Sequence, residues 1–184
     1  MISMIPQIVE KLWNKYDLEG PVREHCKKVM EFALRIAERA EKNGLKLDKK
    51  IILFGALLHD IGRAITHDPF QHFLKSAEIL RNEGLEEEIV RIVERHFSAG
   101  ITAKEAEKLG LPIKDYIPET LEEKIVSFAD NLTFGSEIKN FKSFLERLER
   151  IDLEKPDLKW FTEETRKRAI KMKEEIEKIT GMEF

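Results

Sequence analysis

Apolar residues recur at helical spacing through most of the chain. Ile5, Ile8, Val9, Leu12, Trp13 and Tyr16 share one face of a first helix, which opens at Pro6 and should end near Gly20. A longer helix from Pro21 to about Asn43 carries the stripe Val22, Cys26, Val29, Met30, Phe32, Ala33, Ile36, Ala37 and Ala40. Asn43-Gly44 closes it as a left-handed cap. Then the pattern changes, because nothing polar occurs between Ile51 and Leu58. A run this short cannot span a bilayer, which needs about 20 residues. It reads instead as a helix capped by Asp48, buried on most of its faces and reaching Ile61-Gly62.

A loop over Arg63–Asp68 leads into a helix from Pro69 to about Gly84. The next helix, Leu85 to about Phe97, aligns Ile89, Ile92, Val93 and His96. Thr102 caps a short helix ending at Leu109-Gly110, and two prolines within Leu111–Pro118 predict irregular surface chain. Thr120-Leu121-Glu122-Glu123 has the form of a capping box, opening a helix that carries Ile125, Val126, Phe128, Ala129 and Asp130. Beyond Gly135 two highly charged helices are expected, near Glu137–Ile151 and Thr162–Thr180. Phe141, Phe144, Trp160 and Phe161 should form core beneath them, with a pocket wall or a dimer face as the alternatives. No stretch alternates as a strand does, and no repeat is visible. The expected fold is therefore all-α, a compact multi-helix bundle forming one domain over residues 1–184.

Composition narrows the class. With 42% hydrophobic and 36% charged residues, the chain is globular rather than disordered. A net charge of −3 argues against a dedicated nucleic-acid binder. Cys26 stands alone, which excludes an internal disulfide and suits a reducing compartment. The stretch from Met1 to Pro6 lacks a basic region followed by a long apolar one, so no signal peptide is expected and the expected location is cytoplasmic.

Chemistry enters where the apolar helix ends, at His59-Asp60. Burying these two groups is costly unless they are paired or bind a metal. The remaining histidines are His25, His67, His72 and His96, and Asp130 interrupts an otherwise apolar helix face. Neutral imidazole and carboxylate together suit Mn, Fe, Co, Ni or Zn better than calcium. Neighbours on a helix point about 100° apart, so His59 and Asp60 converge only on an ion beside the helix, with further ligands supplied by other helices.

The order His25, His59-Asp60, Asp130 resembles the HD-domain superfamily of metal-dependent phosphohydrolases, and His59-Asp60-Ile61-Gly62 matches its HDIG form. The resemblance covers roughly residues 22 to 135. It implies one metal held by His25, His59, Asp60 and Asp130. Some members bind a second ion through two further histidines, for which His72 and His96 are the candidates, with Asp60 bridging as in bacterial diadenosine tetraphosphate hydrolases of HD type. Phe97 stands where many relatives carry another histidine.

The implied activity is hydrolysis of a nucleotide or another small phosphate ester, with one or two divalent ions as cofactor. Within that chemistry Arg63 suits a phosphate, His67 suits proton transfer to the leaving group, and Asp60 suits both ligation and acceptance of the water proton. Lys75 and Arg95 are weaker candidates of the same kind. Specificity is expected in Arg63–Asp68, Ser98–Thr102 and Leu111–Pro118, with the C-terminal helices as a further candidate. A di-iron oxygenase on the same helices and a non-catalytic nucleotide sensor are the rival readings. The exact substrate and the oligomeric state stay open.

Overall fold

A computed structural model describes residues 4–184, so part of the N-terminal stretch on which the leader reading rests, Met1 to Ser3, lies outside the described residues. The regular structure of the described chain is almost all helical: α1 (Gln7–Lys15), α2 (Gly20–Lys42), α3 (Lys49–Leu58), α4 (His72–Asn82), α5 (Glu87–Arg95), α6 (Ala103–Lys108), α7 (Leu121–Leu132), α8 (Phe141–Glu154) and α9 (Lys159–Thr180). The helices α2, α3, α5 and α7 surround the main core, where Val29, Ile36, Ile52, Leu57, Val93, Ile125 and Phe128 are all buried. Phe141, Phe144, Leu148, Met172 and Ile176 join the same apolar cluster, so α8 and α9 pack against it. The ring of Trp13 ties α1 down, its indole N–H donating to the carbonyl of Leu57 at 3.1 Å. No helix among the described residues is long and apolar enough to cross a membrane.

Caps follow the sequence closely at two ends. Asp48 accepts from the backbone N–H groups of Lys50 and Ile51, and Thr102 with Glu105 forms a complete capping box. At Thr120 only half of the expected box forms. Its hydroxyl accepts from Glu123 N–H, but the Glu123 carboxylate turns away. It takes the Glu119 N–H at 2.7 Å and pairs with Arg91 and Arg95. Two cations outcompete one backbone donor for that carboxylate.

The all-α reading holds, with one addition among the described residues, a two-residue hairpin of Thr133–Phe134 against Glu137–Ile138 that is too short to show alternation. Helix bounds need correction. The α-helical part of the central element stops at Leu58, and Ile61–Ala64 continue as a 3₁₀ turn. Helix α4 begins at His72 rather than Pro69, because Asp68 accepts the Phe70 N–H and holds the intervening turn. The hairpin likewise delays α8 to Phe141, whereas α9 begins early, at Lys159.

Candidate metal centre

Five helices deliver six side chains to one point. His25 comes from α2, His72 opens α4, Asp130 ends a turn early on α7, and His96 caps the C-terminus of α5. His59 caps α3 and Asp60 follows it, so the backbone leaves the α-helix at the residues whose side chains must converge. His25 Nε2 lies 2.9 Å and His59 Nε2 3.2 Å from Asp130 Oδ1. On the other side, Asp60 Oδ1 lies 3.2 Å from His72 Nε2 and 3.4 Å from His96 Nε2. Asp60 Oδ2 faces back toward His59 at 3.7 Å and His25 at 3.8 Å. Asp60 therefore stands between two groups of imidazoles.

The outer nitrogens fix the tautomers. His25 Nδ1 lies 2.7 Å from the Gly135 carbonyl, His59 Nδ1 2.6 Å from Ala56 and His96 Nδ1 2.6 Å from Val93. A carbonyl only accepts, so each Nδ1 carries a proton and each ring directs Nε2 inward, where a neutral imidazole presents a lone pair. His72 and His96 then oppose two Nε2 atoms at 3.2 Å. With His96 Nδ1 protonated, its Nε2 lone pair needs a donor or a cation. Buried His59 Nε2 and Asp60 Oδ1 also lack hydrogen-bond partners.

The donor set fits divalent metal. Three groups have ligand atoms within 4.8 Å of one another: His25, His59 and Asp60; His59, His96 and Asp130; and Asp60, His72 and His96. Imidazole nitrogen with carboxylate oxygen is a transition-metal donor set.

Electrostatics agrees. Burial opposes charge on Asp60 and Asp130, but the imidazoles, His59 foremost, hold both well below the ordinary carboxylate range. Burial also keeps the His96 pKa low and the ring neutral. At His59 burial works against the charged form, yet the adjacent Asp60 carboxylate, with Asp130, raises its pKa well above the usual value. The metal-free protein should thus hold a proton at this site that an ion must displace. Titration of Mn²⁺ near pH 7 is expected to release about one proton. Calorimetry in Tris and in HEPES checks this, since the observed heat must then differ with buffer; equal heats would rule out displacement.

Two buried serines brace the ligand-bearing turns. Ser76 Oγ on α4 donates to the His59 carbonyl at 2.7 Å and accepts the Gly62 N–H at 2.8 Å. Ser127 Oγ on α7 contacts the carbonyls of His96 at 3.0 Å and Ser98 at 3.2 Å. Sequence reading passed over both, because a serine inside a helix carries no signal of what it braces.

A cavity of about 820 Å³ opens onto the centre. Arg63 lines it with its Nε–H donating to Asp60 Oδ2 at 2.8 Å. His67 sits at its exposed mouth, 3.3 Å from Glu19. Lys75 and Arg95 are not among its lining residues; they pair with Glu78 and with Glu119 and Glu123. Of the three expected specificity segments, the first contributes Arg63 and His67 to the wall and the second Ser98, whereas Leu111–Pro118 packs elsewhere, through Tyr116 against Phe73. Helix α8 supplies a further wall, Phe144, Arg147, Leu148, Arg150 and Ile151, in line with the pocket-wall alternative for Phe144; Arg147 and Arg150 were not among the expected site residues.

Comparison with known proteins identifies the family of this fold. Residues 22–135 match the family model of the HD domain, the span that carries every candidate ligand. The chain belongs to the HD domain family. Over 160 residues it is 42% identical to a tRNA (cytidine(56)-2'-O)-methyltransferase of Picrophilus torridus, covering 87% of this chain and 42% of that protein. An uncharacterized protein of Methanocaldococcus jannaschii is 46% identical over 129 residues, with 70% of this chain and 76% of that protein covered. The chain thus spans well under half of the methyltransferase that it matches. A ribonuclease Y of Acidothermus cellulolyticus is 31% identical over 59% of this chain and 20% of its own length. The HD domain also has the fold of the phosphodiesterase PgpH HD domain of L. monocytogenes, solved with cyclic-di-AMP. That likeness has a TM-score of 0.55 at 18% identity, covering 95% of this chain and 94% of the other.

Proposed function

We propose that this HD domain is a metal-dependent phosphohydrolase acting on a nucleotide or another small phosphate ester. The observation that carries the reading is the inward-facing set of Nε2 and carboxylate atoms, two of them buried without partners, beside a cavity of ligand size. Bound divalent ions supply a water of lowered pKa and polarise a phosphoryl oxygen. His25, His59, Asp60 and Asp130 would hold one ion. His72 and His96, sharing Asp60, would hold the second.

The chain's own groups do the rest. Asp60, with its low pKa, stays ionised and serves as the shared ligand rather than as a strong base. Arg63 spends one N–H on Asp60 and keeps the others for a phosphate oxygen at the cavity edge. His67 is exposed at the mouth and suits protonation of the leaving group. The nucleotide part of the reading draws on the cyclic-di-AMP held by the PgpH HD domain. The methyltransferase and ribonuclease names concern much longer proteins, yet both point to RNA, so RNA belongs in the test.

The test is phosphate release or strand scission over a panel of nucleotides, dinucleotides, phosphate esters and short RNA, with Mn²⁺, Co²⁺ or Ni²⁺ added to chelator-stripped protein. Metal-dependent turnover of at least one member is expected. Bound metal without turnover of any member would overturn hydrolysis in favour of the oxygenase or sensor reading.

A further inference from the structure

The wall of the cavity contributed by α8 lies outside residues 22–135, and its charge differs from that of the ligand cluster. Arg147 and Arg150 are three residues apart, so they share a helix face, and Lys155 follows the end of the same helix. All three line the cavity; Glu154 is the one carboxylate that α8 adds to the lining, which otherwise holds only the carboxylates of the His/Asp centre, Asp60 and Asp130. None of the three cations makes an ion pair among the described residues, while Arg166 nearby is committed to Asp152. The Arg147 guanidinium lies over the Phe134 ring at 5.1 Å, which fixes the plane in which its N–H groups point. Asn131, next to the ligand Asp130, lines the same cavity, is only 7% exposed and has an amide nitrogen without a partner. Uncommitted guanidinium groups and an orphan amide donor lining one cavity suit an anion with several acceptor oxygens.

Aromatic surface completes the cavity. Phe97 lies 5.6 Å from the His72 ring, 5.5 Å from Phe70 and 6.2 Å from Phe161, all measured between ring centroids. Phe70, Phe97 and Phe161 all line the cavity and offer faces or edges to a base. A volume of about 820 Å³ is generous for one nucleotide.

We propose that Arg147, Arg150 and Asn131 form a second phosphate subsite, so that the preferred ligand is a phosphodiester-linked dinucleotide rather than a nucleoside monophosphate. The proposal rests on the phosphohydrolase reading for the orientation of the ligand, with one phosphate at the His/Asp centre and the other at α8. Lys155 adds field at the rim, and Glu154 limits how much anionic charge the wall accepts.

Equilibrium dialysis of the Mn²⁺-loaded full chain against the linear dinucleotide pApA and against AMP, both as phosphorothioates that resist turnover, tests this. Wild type is expected to bind pApA at least tenfold more tightly than AMP. Arg147→Gln combined with Arg150→Gln should lower that ratio at least tenfold, and added salt should lower it too. Both positions are exposed, so the variant should fold, and thermal melting verifies it. Asn131→Ala should lower the ratio by a smaller factor. Equal wild-type affinity for the two ligands, or an unchanged ratio in the double variant, would overturn the subsite. If the arginine-dependent preference holds but no phosphate ester is hydrolysed, the hydrolase reading fails while the subsite stands.

Discussion

Asp60→Asn is expected to reduce turnover by about 10³-fold or more and to lose most of the bound metal, while the protein stays folded. Asp60 is the one side chain whose two oxygens face opposite groups of ligands: Oδ1 toward His72 and His96, Oδ2 toward His25 and His59. An amide preserves the shape but removes the charge, and its nitrogen brings protons where a cation must sit. Arg63 also loses its carboxylate, so the guanidinium is freed from the position in which it meets the cavity. Folding should survive because the surrounding core is apolar and unaltered, and Asp130 still balances His59. Metal analysis after gel filtration, circular dichroism and turnover on whichever substrate the panel yields decide the matter. His67→Ala serves as the contrast, since that exposed ring belongs to none of the ligand groups and its loss should leave the metal in place. Full turnover in Asp60→Asn would sink the shared-ligand mechanism.

The centre was legible because burying polar groups at the end of an apolar run leaves a mark on the sequence. Eight nonpolar residues followed by His59-Asp60 demanded an explanation, and the structure brings those two together with His25, His72, His96 and Asp130. What could not be read was the turn that makes convergence possible. The departure from α-helix after Leu58 depends on Ser76 holding His59 and Gly62, a contact across 14 to 17 residues that no local spacing encodes. The hairpin was hidden for a different reason. Its two-residue strands are too short for periodicity, and its turn rests on Gly135 at φ +60°. A pocket wall was an alternative for Phe144, but Arg147 and Arg150 escaped because arginines in a Glu- and Lys-rich helix look like an ordinary solvated face. Only packing shows that Phe144 and Leu148 turn that face toward the ligands. Phe161 was expected in the core and is buried, but it also faces the cavity; Trp160 is only half-buried and lies under the Lys108 ammonium.

Gly62→Ala is expected to destabilise the protein by about 3 kcal/mol or more, at the upper end of what overpacking costs. The reason is space rather than backbone freedom, since Gly62 does not adopt a left-handed conformation. A Cβ there would enter the carbonyl oxygen of His72 and come within 2.5 Å of the Ser76 amide nitrogen. Both obstacles are the backbone of α4, which cannot yield as the end of a flexible side chain can. Relief requires α4 to move away from the 3₁₀ turn, and that breaks the Ser76 bridge and carries His72 away from Asp60. For a chain of this length the stability loss corresponds to a fall in melting temperature of about 6–12 °C. The same displacement should weaken metal retention, so two readouts move together. Gly84→Ala separates crowding from a generic glycine effect. Its φ is +73° and nothing lies within 4 Å of the added methyl, so only backbone strain of about 1 kcal/mol is expected, with metal retention intact. A Gly62→Ala protein that melts within about 1 °C of wild type and keeps its metal would show that the turn tolerates a side chain, and that its close packing against α4 does not position His72.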